Sequence, residues 1–389
     1  MPEEVVRIAG RGDGVTASGR HVPLAVPGDI VRDDGSVAPG PHHQAPPCRH
    51  FPECGGCQLQ HADDWAYADY VVSRIATALD QHGLATDIRS PHLSPPNSRR
   101  RAALRALRTA QGVLLGFNAA KSHRIVDMRE NFILRPELLA LLQPLRQLLA
   151  VLLRPKGGAE VEMTLVDQGV DLLLKGVEPS GLEAIEALTS FASKHGLARL
   201  SVDQGLGPEP FYQPHAVTIT LSGVPVAFPM SAFLQATEDG EAALIAVARA
   251  VVAEAARTAD LFAGLGTFAL AVGATHAAEA SRDAAAALKQ AAPRIAVEHR
   301  DLYRRPLDPA ELAPFDGVVL DPPRAGAEEQ VRALAGSTVG RIAYVSCNPG
   351  TFARDAKALT AGGFALQWIH PVGQFRWSTH VELAACFSR

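Results

Sequence analysis

The sequence is poor in two residue classes that often announce function. Only 6% of its 389 residues are aromatic, and there are five cysteines. An odd, unevenly spread set cannot pair off as a disulfide scaffold, and three of the five (Cys48, Cys54 and Cys57) fall within ten residues. Such clustering inside a reducing compartment points to metal or redox chemistry. No apolar run reaches membrane length. The longest, LLALLQPLRQLLAVLL from Leu138 to Leu153, is interrupted by Gln143, Pro144, Arg146 and Gln147, and reads as a core helix with a proline-induced break. The start of the chain lacks a basic leader, with Glu3 and Glu4 in its place, so a cytoplasmic protein free of the membrane is expected. Overall positive charge is lacking too: the net charge is −4. With 47% hydrophobic and 20% charged residues the chain is globular rather than disordered, and its length suits two or three domains.

Local charge tells a different story from the total. Between Asn97 and Arg135 stand nine Lys and Arg (Arg99, Arg100, Arg101, Arg105, Arg108, Lys121, Arg124, Arg129, Arg135) against Asp127 and Glu130. An island of this kind neutralises phosphates or forms a solvated face. Ahead of it, short strands between Gly-rich turns fill residues 1–38, PGPHHQAPP is a linker, and a helix is expected over about 65–82. Residues 99–118 read as a hairpin, with helices near 136–153 and 180–195 and further strands over 160–177 and 197–230: an α+β middle.

From about Thr237 apolar strands alternate with Ala-rich helices, the pattern of a doubly wound parallel sheet whose last two strands are joined too tightly for both to run the same way. The first strand runs into Asp260-Leu-Phe262-Ala-Gly264-Leu-Gly266, a turn whose glycines permit close backbone approach to a ligand, and Glu279 closes the next strand within reach of ribose hydroxyls. Turn, following acid and seven strands together favour S-adenosylmethionine over a dinucleotide. Asp301, after the third strand, reads either as a partner of an adenine edge or as a helix N-cap. The fourth strand ends in Asp321-Pro322-Pro323-Arg324, at the crevice position of such sheets. Arg324 occupies the place where an enzyme methylating exocyclic amines would carry a stacking aromatic. The fifth strand ends in Cys347. Either this is a small buried hydrophobe, as Cys386 is expected to be, or it is a nucleophile. A thiolate here suits methylation of a pyrimidine at carbon 5: attack at carbon 6 makes carbon 5 nucleophilic, and a base must then remove its proton. Glu382, in His380-Val381-Glu382, is the candidate base.

At these residues the chain resembles the RNA uracil-5-methyltransferases, and within them the 23S ribosomal RNA branch. FLQ (Phe233 to Gln235), DLFAGLG, Glu279, DPPRAG, YVSCNPGTFARD and HVE occur in that family's order, and RRRA at 99–102 and SHRIVD at 122–127 are similar to its central RNA-binding region. The resemblance implies a C-terminal Rossmann-like S-adenosylmethionine methyltransferase sheet (237–389), a central α+β RNA-binding domain (65–236), a cysteine cluster segment (41–64) and a short β-barrel module of TRAM type (1–40). It implies that Gln235, Asp260, Phe262, Gly264, Gly266, Glu279, Asp301 and Asp321 hold cofactor or target base, with Cys347 as nucleophile and Glu382 as base. It also implies a [4Fe–4S] cluster on Cys48, Cys54 and Cys57, although Asn131 stands where the fourth cysteine is expected; zinc is the other reading of that segment. The expected product is 5-methyluridine in 23S ribosomal RNA, made by a monomer. The alternatives are the same chemistry on tRNA and a catalytically inactive RNA-binding protein.

Overall fold

A computed structural model describes all residues 1–389. The C-terminal strands are near-continuous apolar runs because both of their faces are covered by helices. In the final strand, Glu382–Ser388, Leu383, Ala384, Ala385 and Phe387 are all fully buried. The first three strands, Thr258–Leu261, His276–Glu279 and Ala296–His299, pair in parallel toward one edge. Gly317–Leu320 and Arg341–Ser346 extend the sheet the other way from Thr258–Leu261. The order of the seven C-terminal strands is therefore 3-2-1-4-5-7-6. The last strand is inserted between the fifth and Ala365–Gly373, antiparallel to both. This agrees with the doubly wound sheet and the antiparallel strand expected from the sequence.

Two short segments, Asp87–Ile88 and His92–Leu93, complete this sheet by pairing in parallel with Ala365–Gly373. The preceding helix, Asp64–Asp80, is capped by Asp63 and packs Tyr67, Tyr70 and Ile75 into the same core. Residues 64–93 thus pack with the C-terminal sheet, although the sequence pattern puts the start of the middle domain at residue 65.

The middle of the chain forms a six-stranded sheet, ordered Pro208–Tyr212, Arg199–Asp203, Gly169–Lys175, Gly158–Val166, Arg101–Thr109, Gly112–Gly116. The expected hairpin over 99–118 is its edge. Helices Leu142–Leu152 and Gly181–Lys194 cover one face through a separate Leu- and Val-rich core. The broken apolar run does break: helix Pro136–Ala140 stops and a second starts at Leu142, because Pro144 has no N–H for the Ala140 carbonyl. Residues 3–38 form a separate five-stranded sheet around Val5, Val22, Ala25 and Val31.

The basic island is mostly committed internally. Arg100 is buried, pairs with Glu241 at 2.6 Å and donates to the Gln235 carbonyl at 3.0 Å. Arg105 pairs with Glu160, Arg124 with Glu53, Arg129 with Asp127 and Arg135 with Glu137. These pairs tie the middle domain together and join it to its neighbours, while Arg105, Arg124 and Arg129 stay more than half exposed. No helix is long and apolar enough to cross a membrane.

Candidate active site

The parallel strands end at one rim, and there a cavity of about 660 Å³ is lined by Gln235, Phe262, Gly264, Glu279, Asp301, Asp321, Cys347 and Glu382, among others. The size is that of ordinary small-molecule sites. At one end lies the glycine turn. Phe262, Gly264 and Gly266 all have positive φ (65°, 56° and 91°), which carries the chain from strand to helix Thr267–Val272 in a single tight turn. A side chain at Gly264 would meet nothing within 4 Å, so its backbone is open to the cavity. Glu279 supports the turn, accepting from Gly264 N at 2.8 Å and Ser281 N at 2.6 Å. Asp301 is exposed to the cavity, and its side chain accepts from Tyr303 N at 3.0 Å within a turn, so it caps no helix.

Asp260 takes another role. It is fully buried behind the turn, its Oδ2 accepts from Ala269 N at 2.7 Å, and it does not line the cavity. Burial pushes its carboxyl up to about 8, so at neutral pH it is mostly the protonated acid holding the first turn of that helix. It supports the glycine turn from behind and not from the cavity wall.

The other end of the cavity carries the reactive groups. Cys347 follows the fifth strand and precedes Asn348, which caps helix Pro349–Ala361 and donates from Nδ2 to the Arg324 carbonyl at 3.1 Å. Thr351 adds a second bond to that carbonyl, so NPGT clips the DPPR loop in place. The last ladder pair between the fifth and final strands is Ser346 opposite Leu383; the next step places Cys347 opposite Glu382. Burial, then the neighbouring Glu382 and Asp321 carboxyls, push the Cys347 thiol up, with Arg324 opposing. Glu382 is 6% exposed, and burial followed by the nearby Asp321 lifts it to about 8. Asp321 is lifted by burial to about 7 and accepts from Gln235 Nε2 at 3.4 Å. Two carboxyls raised toward neutrality beside a thiol are placed to hold and pass protons.

Two motif residues given no individual role above, Arg101 and Phe233, and two outside the motifs, Tyr303 and Gln374, join the site. Arg101 stacks on Phe233, 4.6 Å from the ring centroid, at the cavity mouth. Tyr303 lies across from Phe262 at 5.5 Å, and its hydroxyl donates to the Gly326 carbonyl at 2.9 Å. The signal for Tyr303 was an aromatic two residues beyond Asp301. Gln374, which no motif marks, bridges Gln235 and Glu382.

The sequence model of the tRNA (uracil-5-)-methyltransferase family matches residues 295–389, the segment carrying Asp301, Asp321, Cys347 and Glu382. Along its whole length the chain is 50% identical to a Zymomonas mobilis protein designated an uncharacterized RNA methyltransferase, covering 100% of both. It is 31% identical to a 23S rRNA (uracil(1939)-C(5))-methyltransferase of Pectobacterium atrosepticum, over 90% of this chain and 81% of that one. The chain belongs to the RNA uracil-5-methyltransferase family. Its fold is that of the Pyrococcus abyssi tRNA (uracil-54, C5)-methyltransferase, with a TM-score of 0.75 at 20% identity over 100% of this chain and 99% of the other.

One expectation drawn from the resemblance to this methyltransferase family needs correction. Cys48, Cys54, Cys57 and Asn131 do line one cavity, of about 270 Å³, but they do not fit a four-thiolate cluster. Asn131 spends its side chain on its own turn, accepting from Ile133 N and Leu134 N at 2.8 Å each and donating to Met128 Sδ. Burial raises all three thiols, Cys57 to about 12, and no three His, Cys, Asp or Glu side chains converge closely enough to hold a metal ion. Neither the iron–sulfur nor the zinc reading is supported. Phe375 and His380 line this cavity and the larger one, so the cysteine segment abuts the methyltransferase site.

Proposed function

We propose that this enzyme transfers a methyl group from S-adenosylmethionine to carbon 5 of a uridine in 23S ribosomal RNA, acting as a cytoplasmic monomer with Cys347 as nucleophile and Glu382 as base. The observation that carries the reading is that Cys347 and Glu382, each one step beyond the ladder's last pair of Ser346 and Leu383, line one cavity with the glycine turn. The open backbone at Gly264 and the carboxylates of Glu279 and Asp301 suit the cofactor's amino-acid and nucleoside parts, with Phe262 and Tyr303 beside them. When bound, the cofactor supplies an electrophilic methyl group. Cys347, as its thiolate, attacks carbon 6 of the uracil, and the electron pair of the 5,6 double bond makes carbon 5 nucleophilic. After carbon 5 is methylated, Glu382 removes its proton. The C–H pair re-forms the double bond and expels the Cys347 thiolate. Arg99 and Arg101, half-buried at the junction of the two domains, meet the RNA backbone near the target nucleotide.

The ribosomal assignment rests on the Pectobacterium relative, which covers most of this chain. The test uses RNA carrying 5-fluorouridine, whose fluorine cannot leave as a proton. The wild type should form a denaturation-resistant protein–RNA adduct, and Cys347→Ala should form none and be inactive. Methylation by Cys347→Ala would overturn the covalent route. Mapping 5-methyluridine in ribosomal RNA and tRNA of a deletion strain separates the two substrates.

A further inference from the structure

Gln374 follows the sixth strand, Ala365–Gly373, behind the cavity wall, 1% exposed and beyond the reach of solvent. Its amide orientation is fixed by its partners. The Ala236 N–H, a donor, lies 3.0 Å from Oε1, so that atom is the carbonyl. The Nε2 amino group then faces two acceptors, Gln235 Oε1 at 2.8 Å and Glu382 Oε2. With its oxygen engaged, Gln235 presents its own amino group to Asp321. The row Gln374, Gln235, Asp321 therefore has a single direction of donation, and its other branch ends on the base. Space for it is made by Gly240 in helix Glu238–Val252, where a Cβ would sit 2.7 Å from that of Gln374. The following loop is held from outside: Tyr67 donates to the Phe375 carbonyl at 3.1 Å, and Gln58 N and Leu59 N donate to the Trp377 carbonyl at 2.8 and 2.9 Å.

We propose that Gln374 is the positioning residue of the proton-removal step: it aims the Glu382 carboxylate at carbon 5 and sets the donor face of Gln235 toward the target base. The inference rests on the function proposed above. An amide donor on a carboxylate favours its charged form, so Gln374 works against the burial and the Asp321 charge that keep Glu382 protonated. The other groups facing Glu382 are Cys347 from the fifth strand, Arg99 and Arg101 from the middle domain, and His380 two residues upstream. None of them is altered by replacing Gln374.

The test uses full-length protein, S-adenosylmethionine labelled in its methyl group, and RNA tritiated at uridine carbon 5. Methyl transfer and tritium release are followed in single turnovers between pH 6 and 9.5. Gln374→Met keeps length and removes the donor. Gly240→Ala leaves the donor intact and displaces it. Both should slow tritium release by about ten-fold or more, within the range a general base contributes. Methyl transfer should change less, so a methylated covalent protein–RNA band should build up. Gln374→Met should also move the acid limb of tritium release to higher pH. Parallel loss of both steps with an unmoved limb would overturn the proposal, since a merely structural residue would do that. If Gln374→Met fails to fold, Gly240→Ala carries the test, and normal release from it overturns the proposal. A wild type that releases no tritium would refute the function itself, which a defect confined to the variants would not.

Discussion

Replacing Glu382 by Gln isolates the proposed base with almost no change of shape, and two quantities follow from its burial. The first is energetic. Glu382 titrates near 8 in the folded protein and near 4.5 when unfolded. Between those values the folded state holds a proton that the unfolded state has released, so the wild type loses stability as pH rises from 4.5 to 8 and the loss is complete above 8. From pH 5 to 8 that amounts to about 4 kcal/mol, three units at about 1.4 kcal/mol each. Glu382→Gln lacks this slope and should gain on the wild type by that amount over the same range, read by urea unfolding at a series of pH values. The second is kinetic. The variant should still attack and methylate RNA but release it about 100- to 10,000-fold more slowly, leaving methyl label in a covalent protein–RNA band. A pH-independent stability difference would mean that the carboxyl is solvated as in water, and normal turnover without the band would remove Glu382 as the base and send the search to His380.

Wild-type turnover at saturating RNA should climb with pH, pass half its maximum near 8 and level off above it, because at pH 7 only about one Glu382 in ten is ionised in the resting site; a flat profile from 6 to 9 would contradict this. Arg100→Ala, which strands Glu241 in the interior, should cost about 3–5 kcal/mol in urea unfolding. Arg101→Ala should instead weaken RNA binding and reduce its salt dependence by about one phosphate's worth; equal losses of stability in the two variants would erase the distinction. Cys57, with its thiol near 12, should resist iodoacetamide at pH 8 in the native protein and react once denatured, as read by mass spectrometry; rapid native labelling would show that its cavity is open.

The C-terminal sheet was legible because parallel strands buried on both faces leave apolar runs that need no partner to recognise. The glycine turn, Asp321 and Cys347 were legible for a related reason: each sits where a strand hands over to a turn. What stayed hidden depends on contacts distant in sequence. Asp260 has the same local signature whether it faces a ligand or the back of the turn, and only the Ala269 amide decides. Arg100 is flanked by Arg101, which edges the site, and Arg99, which lines the cysteine cavity, and local charge cannot say that its own partner is Glu241, 141 residues away. Gln374 carries no spacing signal, being tied to residues 235 and 382 by the strand insertion alone. Asn131 was legible as a missing thiol but not as a turn cap.

The insertion of the final strand also makes the site a test of correct assembly. Side chains alternate faces along a strand, so sliding Glu382–Ser388 by a single residue against Arg341–Ser346 would turn Glu382 away from Cys347 and expose Leu383 and Ala385 to the wrong surface. Cys347 and Glu382 face one cavity only when the final strand lies between the fifth and sixth in this register. On the mechanism proposed above, a chain with that strand out of register would carry the cysteine without its proton acceptor, and any RNA it captured would be trapped instead of released. The buried apolar residues that fix this register therefore serve the proposed release step as well as the stability of the sheet.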